Sequence, residues 1–332
     1  MCRMADLTGG AHRDPLSALR QPVPPDLARR AAAFQAGHSQ PVATRDAATV
    51  ALLRDAENGT GIQVCLLRRV STMAFAAGMH VFPGGTVDPA DVTAQPRWFG
   101  TSETNVETDV ETDVETDVEV DVETDVETDI VTALDAEPAL ARALVSAAVR
   151  ETFEESGVLL AGPDADSVAD VTDPSWEADR LALEKRQLSM ATLLARRGLG
   201  LRVDLLRPWA RWVTPEVEPR RYDTRFFIAA MPVEQRTRPI PGESDRLLWL
   251  SPVTALAEHL AGRLAMLPPT VHTLRELAEH ASVASVLAAA RIRDLSPVRP
   301  KILVRDGEAH LLLPHDDGYD HAPTPPASAP ER

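Results

Sequence analysis

The 332-residue sequence predicts a mixed α/β domain. Two strand-like runs come first, helical stretches lie between, and strand-like runs return afterwards, an order that builds a sheet covered by helices. With 44% hydrophobic residues there is material for a core, and the length suits one large domain with extensions.

The elements follow in order. Residues 1–41 are polar and Pro-rich, with one helix expected around 26–34. ATVALLRD (48–55) and GIQVCLLRR (61–69) read as strands joined by a Glu-Asn-Gly turn. HVFPGG (80–85) ends in a glycine turn. A helix is expected over 137–156, closed by Gly157, a residue suited to the left-handed cap. Helical material at 175–197 leads to strand candidates at 209–214, 224–231 and 247–251. Pro252 opens a helix to about 263, and further helices fill 269–291. KILVRDGEAHLLLP (301–314) is a hairpin turning on Asp306-Gly307. The expected organisation is an N-terminal extension (1–41), a principal domain (42–292) and a C-terminal hairpin and tail (293–332).

The formal charge of −16 belongs mostly to one segment. ETNVETDVETDVETDVEVDVETDVETD (103–129) repeats every four residues, with thirteen acids and no base, and without it the charge falls to −3. Period four matches neither strand alternation nor an amphipathic stripe, and Thr and Val are poor helix formers. Self-repulsion predicts a disordered insertion, about 92–136, without specific chemistry; a weak cation sponge is the alternative. No basic stripe lies beside an aromatic platform, so nucleic acid is not an expected partner. No run approaches the roughly 20 apolar residues of a membrane span. Cys2 and Cys65 form no disulfide framework, which suggests a reducing compartment. Lysine occurs only at 185 and 301 while Arg and Ala abound, a composition that fits high-GC coding and a bacterial cytoplasm.

The stretch AAVRETFEESGVLLAG (147–162) holds the chemistry. Glu151, Glu154 and Glu155 occupy positions i, i+3 and i+4 of one helical face, while Val149 and Phe153 project toward a core. They stand at the helix C-terminus, where the macrodipole already disfavours negative charge. Arg150 reaches Glu154 at i, i+4 and neutralises part of it. Two carboxylates about 4 Å apart repel by about 4 kcal/mol at an effective dielectric of 20. A hard divalent cation relieves that repulsion through the oxygen ligands it prefers. The plain alternative is an exposed acidic helix end. Zinc is not expected, since the nine histidines show no ligand spacing.

Phe82-Pro83-Gly84-Gly85, with Arg150-Glu151-x-x-Glu154-Glu155-x-Gly157-Val158 after it, resembles the Nudix box of the Nudix hydrolases. The second half matches residue for residue except Thr152, which stands where an aliphatic is usual. Counting from Gly85, the first-half Glu falls on Asp91, and the Arg expected at 99 stands at 150, so 51 extra residues interrupt the box. Such an interruption resembles the insertion-bearing branch related to the peroxisomal and mitochondrial coenzyme A diphosphatases. MAFAAGMHVFPGG (73–85), WVTPEVEPRRYDTRFFIAAMP (212–232) and the Glu243…WLSP stretch share the resemblance. It implies a Nudix-type α/β/α sandwich with a mixed sheet, the acidic insertion lying inside the box. It further implies Mg²⁺ or Mn²⁺ held by Glu151, Glu154, Glu155 and the Gly84 carbonyl, with Arg150 holding a box glutamate. The general base is either Glu151 or Glu243. Arg68, Arg69, Arg221 and Arg225 are candidate phosphate contacts, each with a surface ion pair as its alternative. The implied substrate is a nucleotide-type small molecule, coenzyme A or acyl-CoA first. ADP-ribose, NADH or a nucleotide sugar is second, and a non-catalytic nucleotide- or protein-binding module is third. A homodimer is compatible with the resemblance.

Overall fold

The computed structural model describes residues 23–57, 59–70, 76–99, 129–238, 240, 244–305, 308–314 and 316–320. It divides into two compact units, Arg45–Trp212 with Tyr222–Pro297, and Met1–Thr44 with Val213–Arg221 and Val298–Arg332. The second and smaller unit contains helix α1 (Pro25–Gln35), where Pro25 needs no hydrogen-bond partner in the first turn. It also holds the hairpin Lys301–Arg305 and Glu308–Leu312, paired antiparallel. The expected turn residues Asp306 and Gly307 lie outside the described residues.

Apart from the terminal residues Thr44, Val213 and Arg221, the larger unit contains, in chain order, β1 (Thr44–Asp55), β2 (Ile62–Arg69), β3 (His80–Val81), β4 (Gly84–Thr86), β5 (Trp98–Phe99), β6 (Ala161–Gly162), β7 (Gly200–Arg202), β8 (Leu206–Val213), β9 (Arg221–Ala230) and β10 (Ser244–Leu250). The main sheet runs β10-β2-β1-β9-β8, with β3 on β2 and β4 on β1. β1 pairs antiparallel with β2 and β4. Met231, just past β9, donates to the Leu53 carbonyl near the end of β1. These two central strands therefore end at the same edge, and the sheet is mixed.

Val50, Ala51, Leu52 and Leu53 are all inaccessible to solvent. Four consecutive buried positions on a strand require cover on both faces. The helices of this unit are α2 (Pro89–Thr93), α3 (Pro138–Ser156), α4 (Ser175–Glu184), α5 (Met190–Arg197), α6 (Pro252–Leu260), α7 (Pro268–Leu277) and α8 (Val283–Ala290). α3 packs Leu144, Ala148 and Phe153 into a cluster with Val50, Leu52 and Phe227. α7 and α8 bury Leu274, Leu277 and Val286. They are tied to the strands by Trp209 Nε1 donating to Glu276 at 2.8 Å and Val283 N to Asp55 at 2.8 Å. This is the expected α/β/α sandwich.

Three features depart from the sequence expectation. The helical stretch 175–197 is broken, because Arg186 takes a positive φ of 55° between α4 and α5. A second sheet, β5-β7-β6, is built from strands too short for a periodic signal. The span expected to be without structure, about 92–136, is ordered at both ends. Trp98-Phe99 pairs parallel with Leu201-Arg202, and Ile130 and Leu134 are buried in the α3 core. Residues 100–128 of the insertion lie outside the described residues. No helix among the described residues is long and apolar enough to cross a membrane.

Candidate active site

The last turns of α3 carry Arg150, Glu151, Glu154 and Glu155, and Gly157 ends the helix at φ 75°. Phe153 and Thr152 point inward, both fully buried. Thr152 satisfies its hydroxyl on the Ala148 carbonyl at 2.7 Å, so it fills the aliphatic position without an orphaned polar atom.

Facing the helix is the glycine turn. The Gly84 N–H donates to Glu155 Oε2 at 2.9 Å. A Cβ on Gly85 would fall 2.3 Å from Glu151 Oε1, so glycine there leaves the space this carboxylate occupies. Arg150 joins the two halves. Its Nη1 donates to Glu151 at 2.8 Å and more weakly to Glu154 at 3.4 Å. Its Nη2 donates to the Thr86 carbonyl at 2.9 Å and to Asp91 at 3.0 Å. Asp91 is 3% exposed. It also accepts from the Asp88 N–H, closing a capping box on α2. Burial alone would lower the Arg150 pKa, but Glu151, Asp91 and Glu154 together raise it above the ordinary arginine value. The Asp for Glu departure thus keeps a carboxylate on the box arginine. The Asp88-x-x-Asp91 spacing was the signal that could have disclosed α2.

Does this set suit a hard cation? Its donors are carboxylate oxygens set against a glycine pair, the right chemistry for Mg²⁺ or Mn²⁺. The side chains as they stand are turned to Arg150 and to Gly84 N–H rather than toward one point. Among the described residues no three His, Cys, Asp or Glu groups already converge on an ion position. The Gly84 contact made is through its N–H, whereas the sequence pointed to its carbonyl.

The family model for the NUDT19 Nudix domain matches residues 21–277. The chain belongs to this family. It is a Nudix hydrolase. It is similar to the human acyl-coenzyme A diphosphatase NUDT19, 30% identical over 278 residues, covering 78% of this chain and 72% of that protein. The Xenopus laevis acyl-coenzyme A diphosphatase NUDT19 is 25% identical over 286 residues, covering 80% and 73%. Among solved structures, a Nudix hydrolase from Alicyclobacillus acidocaldarius is 28% identical with a TM-score of 0.59, covering 76% of this chain and 99% of that one.

The other expected residues of this Nudix hydrolase are scattered. Arg68 on β2 forks onto Asp245 of β10 at 2.7 and 2.6 Å in a half-exposed pair. Arg69 is partly buried, and its Nε has no hydrogen-bond partner among the described residues. Arg225 on β9 is 3% exposed, with Nη1 2.7 Å from Asp223 and 3.6 Å from Asp46. Arg221 belongs to the smaller unit, donating to the Thr214 and Val42 carbonyls. Glu243 lies outside the described residues.

Proposed function

We propose that this Nudix hydrolase cleaves the diphosphate of coenzyme A or an acyl-CoA, with Mg²⁺ or Mn²⁺ held by Glu151, Glu154 and Glu155 beside Gly84. The observation that carries the proposal is the assembled box: Arg150 bridges Asp91 and Glu151, and Glu155 meets Gly84 across the interruption. The similarity to two acyl-coenzyme A diphosphatases supports the substrate.

When bound, the metal would offset phosphate charge and acidify a coordinated water. The protein's own contributions follow from its contacts. Arg150, itself fixed by Asp91 and the Thr86 carbonyl, holds Glu151 and Glu154 at one end of the helix. A glutamate, Glu151 or Glu243, takes the proton from the attacking water as its oxygen bonds to phosphorus. The P–O–P bond then opens, and the second phosphate leaves as a monoester. Arg68 and Arg69, on the strand that pairs with β3 ahead of the glycine turn, and Arg225 on β9 are the candidate phosphate contacts.

The test is a hydrolysis panel of CoA, acyl-CoA, ADP-ribose, NADH and UDP-glucose, each with Mg²⁺, with Mn²⁺ and with chelator. Release of 3′,5′-ADP from CoA or acyl-CoA, abolished by chelator, is expected. Faster turnover of ADP-ribose, NADH or the sugar nucleotide would transfer the assignment to that substrate.

A further inference from the structure

The C-terminal end of α3 raises an energetic difficulty. Its last carbonyls lack intrahelical partners and its dipole end is negative, yet three glutamates sit there. Two arginines from elsewhere in the chain meet it. Arg180 on α4, with a side chain 2% exposed, donates from Nη1 to the Glu154 carbonyl at 3.0 Å. The Arg238 N–H donates to the Ser156 carbonyl at 3.0 Å. Arg238 also lies close over Gly157, its Nε 2.5 Å from where a Cβ would fall.

One carboxylate joins them. Glu177 accepts from Arg180 Nη2 at 2.7 Å and pairs with Arg238 Nη1 at 2.6 Å, while Glu184 takes Arg180 Nη1 at 3.0 Å. A guanidinium buried alone would be costly. Burial does press the Arg180 pKa down, but Glu177 and Glu184 more than restore it, so the group stays charged. The four charges cancel, so the cluster acts on the site through geometry more than through its net field. None of these residues is part of the box, and Arg180 reaches it through the backbone of Glu154.

We infer that Arg180 is a positioning residue for the glutamate helix: by holding the Glu154 carbonyl it fixes the last turn of α3, and hence the direction in which the Glu154 and Glu155 side chains leave the backbone. The inference rests on the metal-binding reading of the box. Residues that orient metal ligands without touching the metal typically change affinity by about 10- to 100-fold, and one hydrogen bond to the backbone places Arg180 near about 10-fold.

The experiment measures Mn²⁺ binding to the full chain by calorimetry, beside the melting temperature of the metal-free protein. Arg180→Met should weaken Mn²⁺ binding by about 10-fold. Arg180→Lys, which retains a cationic donor for the carbonyl, should recover most of that loss. Excess Mn²⁺ should restore much of the turnover lost in Arg180→Met. A lowered melting temperature with unchanged Mn²⁺ affinity would overturn the inference and leave Arg180 a packing residue. Should Arg180→Met not fold, Glu177→Gln, which loosens both arginines, is read the same way: weaker binding supports the inference, unchanged binding overturns it. Glu154→Gln separates the two levels. If it binds Mn²⁺ as the wild type does, the metal reading of the box itself fails, and this inference falls with it.

Discussion

Gly84 and Gly85 are neighbours that constrain different parts of the molecule. A methyl on Gly84 would meet the Ala48 carbonyl at 2.6 Å, a backbone atom that moves only with the sheet. A methyl on Gly85 would meet the tip of Glu151, which can swing away. Gly84→Ala should therefore destabilise the fold. Gly85→Ala should leave the melting temperature nearly unchanged while kcat/KM falls by about 10²-fold, the usual cost of a catalytic group displaced by an ångström. Equal activity in Gly85→Ala and wild type would show that the Glu151 position is irrelevant to turnover. The identity of the base is also a residue-scale question. Glu243→Gln should lower kcat by about 10²- to 10⁴-fold with no recovery at high Mg²⁺, as expected of a lost base. Glu151→Gln, as a lost ligand, should be partly rescued by metal. A Mg²⁺ titration of kcat for both variants decides, and the reverse pattern would assign the base to Glu151.

At the scale of elements, α2 and α3 are joined through one side chain. Asp91 caps α2 at the Asp88 N–H, accepts from Arg150, and lies within 3.5 Å of the Ser146 hydroxyl. Asp91→Ala removes one half of the capping box, the Asp88 side chain still accepting from the Ala90 N–H, and leaves Arg150 buried with only part of its compensation. A buried charge that loses a partner costs about 3 kcal/mol at the low end, and Arg150 keeps Glu151 and Glu154. Urea unfolding should therefore show a loss of about 2–3 kcal/mol for Asp91→Ala. Asp91→Asn, which keeps the capping oxygen, should lose less. A loss below about 0.5 kcal/mol in the alanine variant, the range of an ordinary surface change, would mean that the junction carries no stability.

At the scale of the whole molecule, the interruption of the box is the dominant feature. Its ordered flanks are held by other contacts, β5 by β7 on one side and Ile130 by the α3 core on the other. A tract of like charges with few apolar residues has little to bury. Deleting 104–128 should leave the melting temperature and hydrolysis almost unchanged and raise the isoelectric point. An unfolded or inactive deletion would give the tract a structural role. Cys65 offers a control on foldedness. Burial pushes its thiol up to about 12, so it should resist thiol reagents at neutral pH until the domain is unfolded, and early labelling in a Cys2→Ser background would contradict that burial.

The sequence by itself determined the local features: a helix over Pro138–Ser156 ended by Gly157, glutamates on one face, strands at β1 and β2, and the residue types of the box. These follow from spacing along the chain, because i, i+3 and i+4 neighbours meet wherever the helix forms. The tertiary structure decided which distant groups meet and which are shut away. Asp91 and Arg150 are 59 positions apart and Gly84 and Glu155 are 71 apart, so their contact depends on how the sheet seats the helix. Arg68 and Arg225 look alike in sequence, yet one lies half-exposed on a strand and the other is sealed beside Asp223. Helical spacing marks Arg180 only as a partner of Glu177 and Glu184; its bond to α3 goes to a backbone carbonyl, which every residue possesses and no sequence pattern marks. Burial and long-range pairing are properties of the packed chain, and only packing could assign them.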